Sequence, residues 1–228
     1  KKKKNRLHIV TVPTGGFLID LLIGNGCVET IETSGVSLGE YGPAPRFTDA
    51  LLKRQIKILD STCPAIYAGL QAAQSGNPFA VIRGLIGSDI LKQRRDYKII
   101  KNPFNQQDKI VCVESIKPDF TIFHAEVADQ QGNVFYGNRR ELELLAHASK
   151  KTFVTVERIA TNNLLEKKSV ASMTLPAFYV SGIAKVPSGA RPLELHGLYP
   201  PDRSKIREYA KAATTDIGFK NWFSSQFS

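Results

Sequence analysis

Between Leu7 and Val156 the sequence alternates short apolar, β-branched runs with runs of helical spacing, and Gly or Pro closes most of the junctions. Parallel strands need a long crossover, and a helix is the usual one, so this order predicts an α/β fold with a mostly parallel sheet and helices on both faces. Strands are expected at Leu7–Val12, Val28–Glu32, Ile56–Leu59, Phe79–Arg83, Ile110–Val113, Phe153–Val156 and Tyr179–Val186. Helices are expected at Phe17–Ile23, Arg46–Arg54, Pro64–Gln74, Arg139–Ser149 and Ser204–Ala213. Pro64 suits a first turn, where no donor is needed, and Gly76 supplies the stop. Ile66, Leu70 and Ala73 then share one face, as do Leu142, Leu145 and Ala146. Leu91–Asp108 is charged and reads as an irregular excursion, and Pro187–Pro201 as a proline-punctuated surface arm.

The stretch Ile116–Gly137, IKPDFTIFHAEVADQQGNVFYG, carries the most local information. Phe120–His124 reads as a buried strand that enters the turn Ala128–Asn133 and returns as Val134–Tyr136. Gly132-Asn133 takes positive φ at little cost, so the turn is locally specified.

At 228 residues the chain can bury a substantial core, and one domain over 1–228 is the default. Its net charge is +10, of which Lys1–Lys4 and Arg6 supply five. A lysine-rich start is read as a solvated end, and the remaining basic residues are scattered among acids, so neither specific nucleic-acid binding nor membrane binding is expected. The apolar run after it contains Asp20 and is interrupted by Pro13-Thr-Gly-Gly16, which excludes a signal-peptide core. Cys27, Cys63 and Cys112 are odd in number and widely spaced, which points away from a disulfide framework or zinc site and towards a reduced, cytoplasmic setting.

Three loops follow expected strands. Gly84-Leu-Ile-Gly-Ser-Asp89 follows Arg83, Gly39-Glu-Tyr-Gly42 places a carboxylate between glycines, and Asp60-Ser-Thr-Cys63 precedes the Pro64 helix. Open α/β sheets bind ligands at the carboxyl ends of their strands, so all three tips are expected to converge at that edge of one sheet. Alone, each is equally readable as a capped turn or solvated loop. His8, His124, His147 and His196 have no metal spacing, and His124 reads as a hydrogen-bonded core histidine. Glu157-Arg158 reads as an ion pair locking strand to helix. No G-x-S-x-G, Walker A or complete dinucleotide fingerprint is read in the sequence.

The segments Cys63-Pro-Ala-Ile-Tyr-Ala-Gly-Leu-Gln-Ala-Ala73, Arg83–Asp89 and Asp129–Asn133, in this order and ahead of Thr152-Phe-Val-Thr-Val-Glu-Arg158, resemble the A (alpha) subunits of family I coenzyme A transferases, the group that includes the alpha chain of glutaconate CoA-transferase. The resemblance runs from about Leu7 to Phe223, looser past Pro187, and an N-terminal strand-loop-helix usual in that family is not matched. It implies a three-layer fold related to ribose-phosphate isomerases. A coenzyme A thioester is implied as substrate rather than as a bound cofactor, and the implied partner is a B (beta) subunit. In that family a glutamate of the beta chain, in a Glu-Asn-Gly or similar turn, attacks the thioester. This sequence has no such turn, so it is expected to shape the acid-substrate half of a shared pocket. The lining residues implied are Gly39, Glu40, Ser61, Cys63, Arg83, Gly84, Gly87 and Ser88. Steroid-ring hydrolases of the superfamily resemble it too, but carry an acidic residue near the position of Ser61-Thr62-Cys63, which argues against that activity. A non-catalytic or ligand-sensing module on the same fold, or a CoA-dependent hydrolase subunit, is the alternative.

Overall fold

The computed structural model describes residues 6–12 and 14–227; Lys1–Lys4 and Pro13, on which sequence readings fall, lie outside them. The chain divides into two compact units, one formed by the described residues of Lys1–Ala68 with Ala80–Glu114 and Arg203–Ser228, the other by Gly69–Phe79 and Ser115–Asp202.

In the first unit, β1 (Leu7–Val10), β2 (Val28–Thr33) and β3 (Lys57–Asp60) form a parallel sheet in the order β1-β2-β3. The connections are α1 (Phe17–Gly24), which ends where Asn25 and Gly26 turn the chain, and α2 (Pro45–Leu52), with Pro45 in its first turn. α3 (Cys63–Gln74) follows β3; its residues to Ala68 belong to this unit, with Ile66 fully buried, and those from Gly69 to the other, with Leu70 fully buried. Two C-terminal helices, α6 (Arg203–Ala212) and α7 (Asp216–Phe227), complete the main core of this unit. There Tyr209 packs on Phe17 and Trp222 with ring centroids 4.6 and 4.7 Å apart, each such pair adding about 0.5–1.5 kcal/mol beyond its buried area. Of these two helices the sequence announces only α6.

A second sheet of this unit has the order β4-β6-β5, from β4 (Phe79–Ile82), β5 (Lys98–Asn102) and β6 (Asn105–Glu114), with α4 (Ile90–Gln93) before β5. Here the expectation of an irregular excursion over Leu91–Asp108 is overturned, because β5 and β6 pair as an antiparallel hairpin. The Asn-Gln-Gln-Asp-Lys start of β6 has poor strand propensity; its pairing with β5 and the apolar Ile110–Val113 behind it hold it extended.

The second unit holds a five-stranded sheet in the order β10-β8-β7-β9-β11. Its strands are β7 (Phe120–Asp129), β8 (Val134–Phe135), β9 (Lys151–Ala160), β10 (Thr174–Leu175) and β11 (Gly182–Lys185). The hairpin read from Ile116–Gly137 is present, with Val127 opposite Phe135 and Ala128 opposite Val134. β7, β9 and β11 run parallel. β7 is buried on one face only, however: Thr121, Phe123, Ala125 and Val127 point inward while Phe120 and Ile122 are 58% and 70% exposed. Helix α5 (Arg140–Ala148) buries Leu142, Leu144, Ala146 and Ala148, with Leu145 half-buried beside them. The late strand expected at Tyr179–Val186 is shorter, since Ala177–Tyr179 makes one 3-10 turn first. The chain is therefore α/β as expected, but among the described residues the hydrogen-bonded ladders form three sheets rather than one.

Candidate functional site

β1, β2 and β3 end side by side, and each end opens into a loop. After β1, Gly15 donates to the Gly35 carbonyl at 2.9 Å and accepts from Ser37 N at 3.0 Å, so the loops after β1 and β2 are stitched together. A Cβ on Gly15 would stand only 3.1 Å from side-chain methyls of both Thr11 and Val36, so any larger residue must displace them. α1 starts directly after Gly16 with no side chain capping its first turn, which leaves backbone N–H groups pointing out of this edge. Beneath it, Thr11 and Thr33 share a buried hydroxyl contact at 2.6 Å.

The loop after β2 makes one 3-10 turn at Gly39–Tyr41, and Gly39 and Glu40 are both exposed. The Glu40 carboxylate lies 4.0 Å from the Arg203 guanidinium, a loose, solvated pair. Gly35-Val-Ser-Leu-Gly39 in this loop has the G-x-S-x-G spacing of a nucleophile elbow, which corrects the reading above that the sequence holds none. The elbow geometry is not formed. Ser37 accepts from Gly39 N at 3.0 Å, its hydroxyl faces the Gly42 carbonyl at 3.4 Å, and a 3-10 turn follows instead of a helix.

The loop after β3 carries Ser61 and Cys63. Ser61 N donates to Thr33 O at 3.1 Å, and the Cys63 sulfur lies 3.1 Å from Ser34 Oγ, so this loop also abuts the end of β2. The Ser61 hydroxyl is buried against Tyr97 Oη at 2.7 Å. Tyr97 in turn faces Glu32, which is buried on β2 and receives the Arg94 guanidinium at 2.7 Å. Arg94 further grips Asp96 and the Asp60 carbonyl, and stacks over the Tyr97 ring at 4.0 Å. Burial works against the Arg94 charge, but Asp96 and Glu32 outweigh it and raise its pKa. The same contact holds Asp96 below the usual carboxylate range, while burial pushes the Tyr97 phenol up.

Arg83, Gly84, Gly87 and Ser88 follow β4, which belongs to the other sheet of this unit. The expectation that all three loops rim a single sheet is therefore corrected: Gly39–Glu40 and Ser61–Cys63 share the β1-β2-β3 edge, and Gly84–Asp89 does not. Arg83 is exposed and paired with Asp108 at 2.5 Å; Gly84 and Gly87 are exposed; Ser88 donates to the Leu85 carbonyl at 2.8 Å. Arg94 and Tyr97 carried no local sequence signal, because their partners lie up to 65 residues away.

In the second unit the histidine reading is met: His124 lies 2.8 Å from both Thr155 Oγ1 and Glu157 Oε1. Glu157 does not pair with Arg158. It accepts from Tyr199 Oη at 2.6 Å and Ser188 N at 2.7 Å, while Arg158 reaches Glu126. Among the described residues no group of His, Cys, Asp and Glu is placed to hold a metal ion, and no helix is long and apolar enough to cross a membrane.

A family model described as coenzyme A transferase matches residues 1–185. The A subunit of 3-oxoadipate CoA-transferase from Pseudomonas knackmussii is 31% identical, with 97% of this chain and 78% of the relative aligned. The A subunit of glutaconate CoA-transferase from Acidaminococcus fermentans is 29% identical, over 89% of this chain and 70% of the relative. The crystal structure of that organism's glutaconate coenzyme A-transferase superposes with a TM-score of 0.89 at 26% identity, covering 97% of this chain and 74% of that one. A cholesterol ring-cleaving hydrolase IpdA subunit of Rhodococcus jostii is 25% identical, over 96% of this chain and 78% of the relative.

Proposed function

The chain belongs to the coenzyme A transferase family, and from that premise we propose that it is the alpha subunit of an enzyme moving coenzyme A between an acyl-CoA and a carboxylic acid. In this reading it forms the acid-substrate side of a pocket shared with a beta subunit. The supporting observation is the β1-β2-β3 edge, where α1 starts after Gly16 with no side-chain cap and the loops of Gly15-Gly16, Gly39–Glu40 and Ser61–Cys63 are held side by side by hydrogen bonds to the end of β2 and the loop after it. A helix N-terminus with unclaimed backbone N–H groups binds a carboxylate well.

The nucleophile is assigned to the partner. A glutamate carboxylate attacks the thioester carbonyl, and the coenzyme A thiolate leaves to give an acyl-glutamyl anhydride. The thiolate then attacks the glutamyl carbonyl, releasing the first acid and leaving a glutamyl-CoA thioester, and the second acid takes the coenzyme by the reverse steps. Backbone N–H groups stabilise the oxyanions. Glu40, the one glutamate in a glycine-flanked turn of this edge, is read as lining the pocket. That Cys27, Cys63 and Cys112 are not joined in disulfides accords with a reduced, cytoplasmic setting.

The hydrolase reading has the steroid-ring relative in its favour. The resemblance puts an acid near the Ser61-Thr62-Cys63 turn of such hydrolases; here those three positions hold hydroxyls and a thiol, and the neighbouring acid is Asp60 at the end of β3. An acyl-CoA screen of the chain co-expressed with a candidate beta subunit separates the two. Transfer to an added carboxylic acid, with free-acid release to water a minor path, is expected. Hydrolysis that ignores added acid would contradict the transferase reading.

A further inference from the structure

Arg94 is almost fully buried, yet two of the three residues it hydrogen-bonds, Glu32 and Asp60, lie at the carboxyl edge of the β1-β2-β3 sheet. Its guanidinium takes Glu32, the second-last residue of β2, at 2.7 Å and the carbonyl of Asp60, the last residue of β3, at 3.2 Å. Asp96 closes the other side with contacts of 2.9 and 2.6 Å. The flat face lies on Tyr97, whose hydroxyl holds Ser61. Tyr97 also belongs to one buried cluster with Ala65, in the first turn of α3, and Leu85, in the Gly84–Asp89 loop. The loop that the sheet topology separates from the pocket edge is thus tied back to it by the Arg94–Tyr97 pair. A buried guanidinium is expensive unless its donors are matched, and only a planar fork reaches two carboxylates and a carbonyl at once.

We propose that Arg94 is a positioning residue of the acid pocket: it clamps the ends of β2 and β3 and, through Tyr97, fixes the Ser61–Cys63 turn and the Leu85 loop against them. The proposal rests on the reading of this edge as the acid-substrate side. It touches no substrate itself; it acts by holding what does.

Two variants, Arg94→Lys and Tyr97→Phe, test it. Lysine keeps the charge beside Glu32 without the fork, and phenylalanine removes only the hydroxyl on Ser61. Each is read three ways: melting temperature, alkylation of the three thiols of the isolated chain by iodoacetamide with mass-spectrometric readout, and kinetics of the enzyme assembled with its beta subunit. Cys63 sits in the clamped turn, and Cys27 and Cys112 serve as internal references. The expected result is a change of about threefold or more in Cys63 alkylation with the other two thiols unchanged, because thiol reactivity follows local environment and access. Alongside it, KM for the acid should rise about tenfold with kcat altered far less, the pattern of lost ground-state positioning. Unchanged Cys63 alkylation in both variants would overturn the proposal, as would loss of activity that merely tracks a fall in melting temperature. Altered Cys63 alkylation with an unaltered acid KM would uphold the clamp and contradict the placing of the pocket at this edge.

Discussion

Tyr209 on α6 donates its phenol to the carboxylate of Asp20 on α1 at 2.6 Å, across 189 residues of sequence and inside the core of the first unit. Asp20 is fully buried and also accepts from the backbone N–H groups of Phe47 at 2.7 Å and Arg46 at 3.3 Å, in the first turn of α2. One carboxylate thus joins three helices. Burial raises its pKa, and the three donors only partly oppose that.

The sign of the pH dependence follows. With the folded pKa above the unfolded one, the contribution of Asp20 to stability is fully present below the unfolded value and is lost as pH rises through the folded value. The Tyr209 hydroxyl lowers the Asp20 pKa, so removing it extends that loss. Tyr209→Phe is expected to destabilise the protein by about 1–3 kcal/mol near neutral pH, the cost of an unmatched buried acceptor. The penalty should shrink in acid, below the folded pKa of Asp20, where the carboxyl carries its own proton. Urea melts at neutral and acid pH check it; an equal penalty at both would contradict a charged Asp20 at neutral pH.

Asp129, at the end of β7, is buried and accepts from Asn133 N and Leu164 N, each at 2.9 Å, and from Asn133 Nδ2 at 2.8 Å. Asn133 passes the link on by accepting from Ala177 N. Gly132, at φ +94° with only 3.3 Å for a Cβ before Ala177, completes the turn. Burial alone would raise the Asp129 pKa, but these donors outweigh it and the net shift is downward. Its stabilisation is therefore present above the unfolded value and lost as pH falls through the folded one. Asp129→Ala should cost about 2–4 kcal/mol, since it strands several buried donors at once. Asp129→Asn should cost less and flatten the acid limb of the stability profile. Thermal melts from acid to neutral pH decide it, and a fully stable Asp129→Ala would remove the turn from the structural account.

Glu157 latches the arm of residues 187–201 to β9 through Ser188 N and Tyr199, whose ring also carries the Arg191 guanidinium at 4.5 Å. Glu157→Gln exchanges a carboxylate that accepts three donors for an amide with one acceptor oxygen. Chymotrypsin should then cut the arm at Leu195 or Leu198 about tenfold faster, a shift in local opening of about 1.4 kcal/mol. Far-ultraviolet circular dichroism should stay unchanged. Equal cleavage rates would show that the arm is held by its own turns, not by the latch.

These contacts mark where sequence reading reaches its end. Pro64 and Gly76 announce both ends of α3, and Gly132-Asn133 announces the hairpin, because the signals and the structure they cause lie within a few residues. The α/β order follows from the same local signals repeated. The β5-β6 hairpin was hidden because its polar start becomes a strand only by pairing. The exposed faces of Phe120 and Ile122 were hidden because strand length and composition do not say how many sides are covered. Loops that follow expected strands named several members of the candidate edge, including Glu40, Ser61 and Cys63. Which loops share a sheet, and that Arg94 and Tyr97 join them, depends on partners dozens of residues away and carries no periodicity.

The central claim is that this chain shapes the pocket while its partner carries the nucleophile. Intact-mass analysis of both chains after incubation with acyl-CoA, quenched in acid, reads it directly. The account predicts a covalent coenzyme A adduct on the beta chain alone, with this chain at its unmodified mass and no turnover when it is assayed by itself. An adduct on this chain, mapped to Glu40, would contradict it.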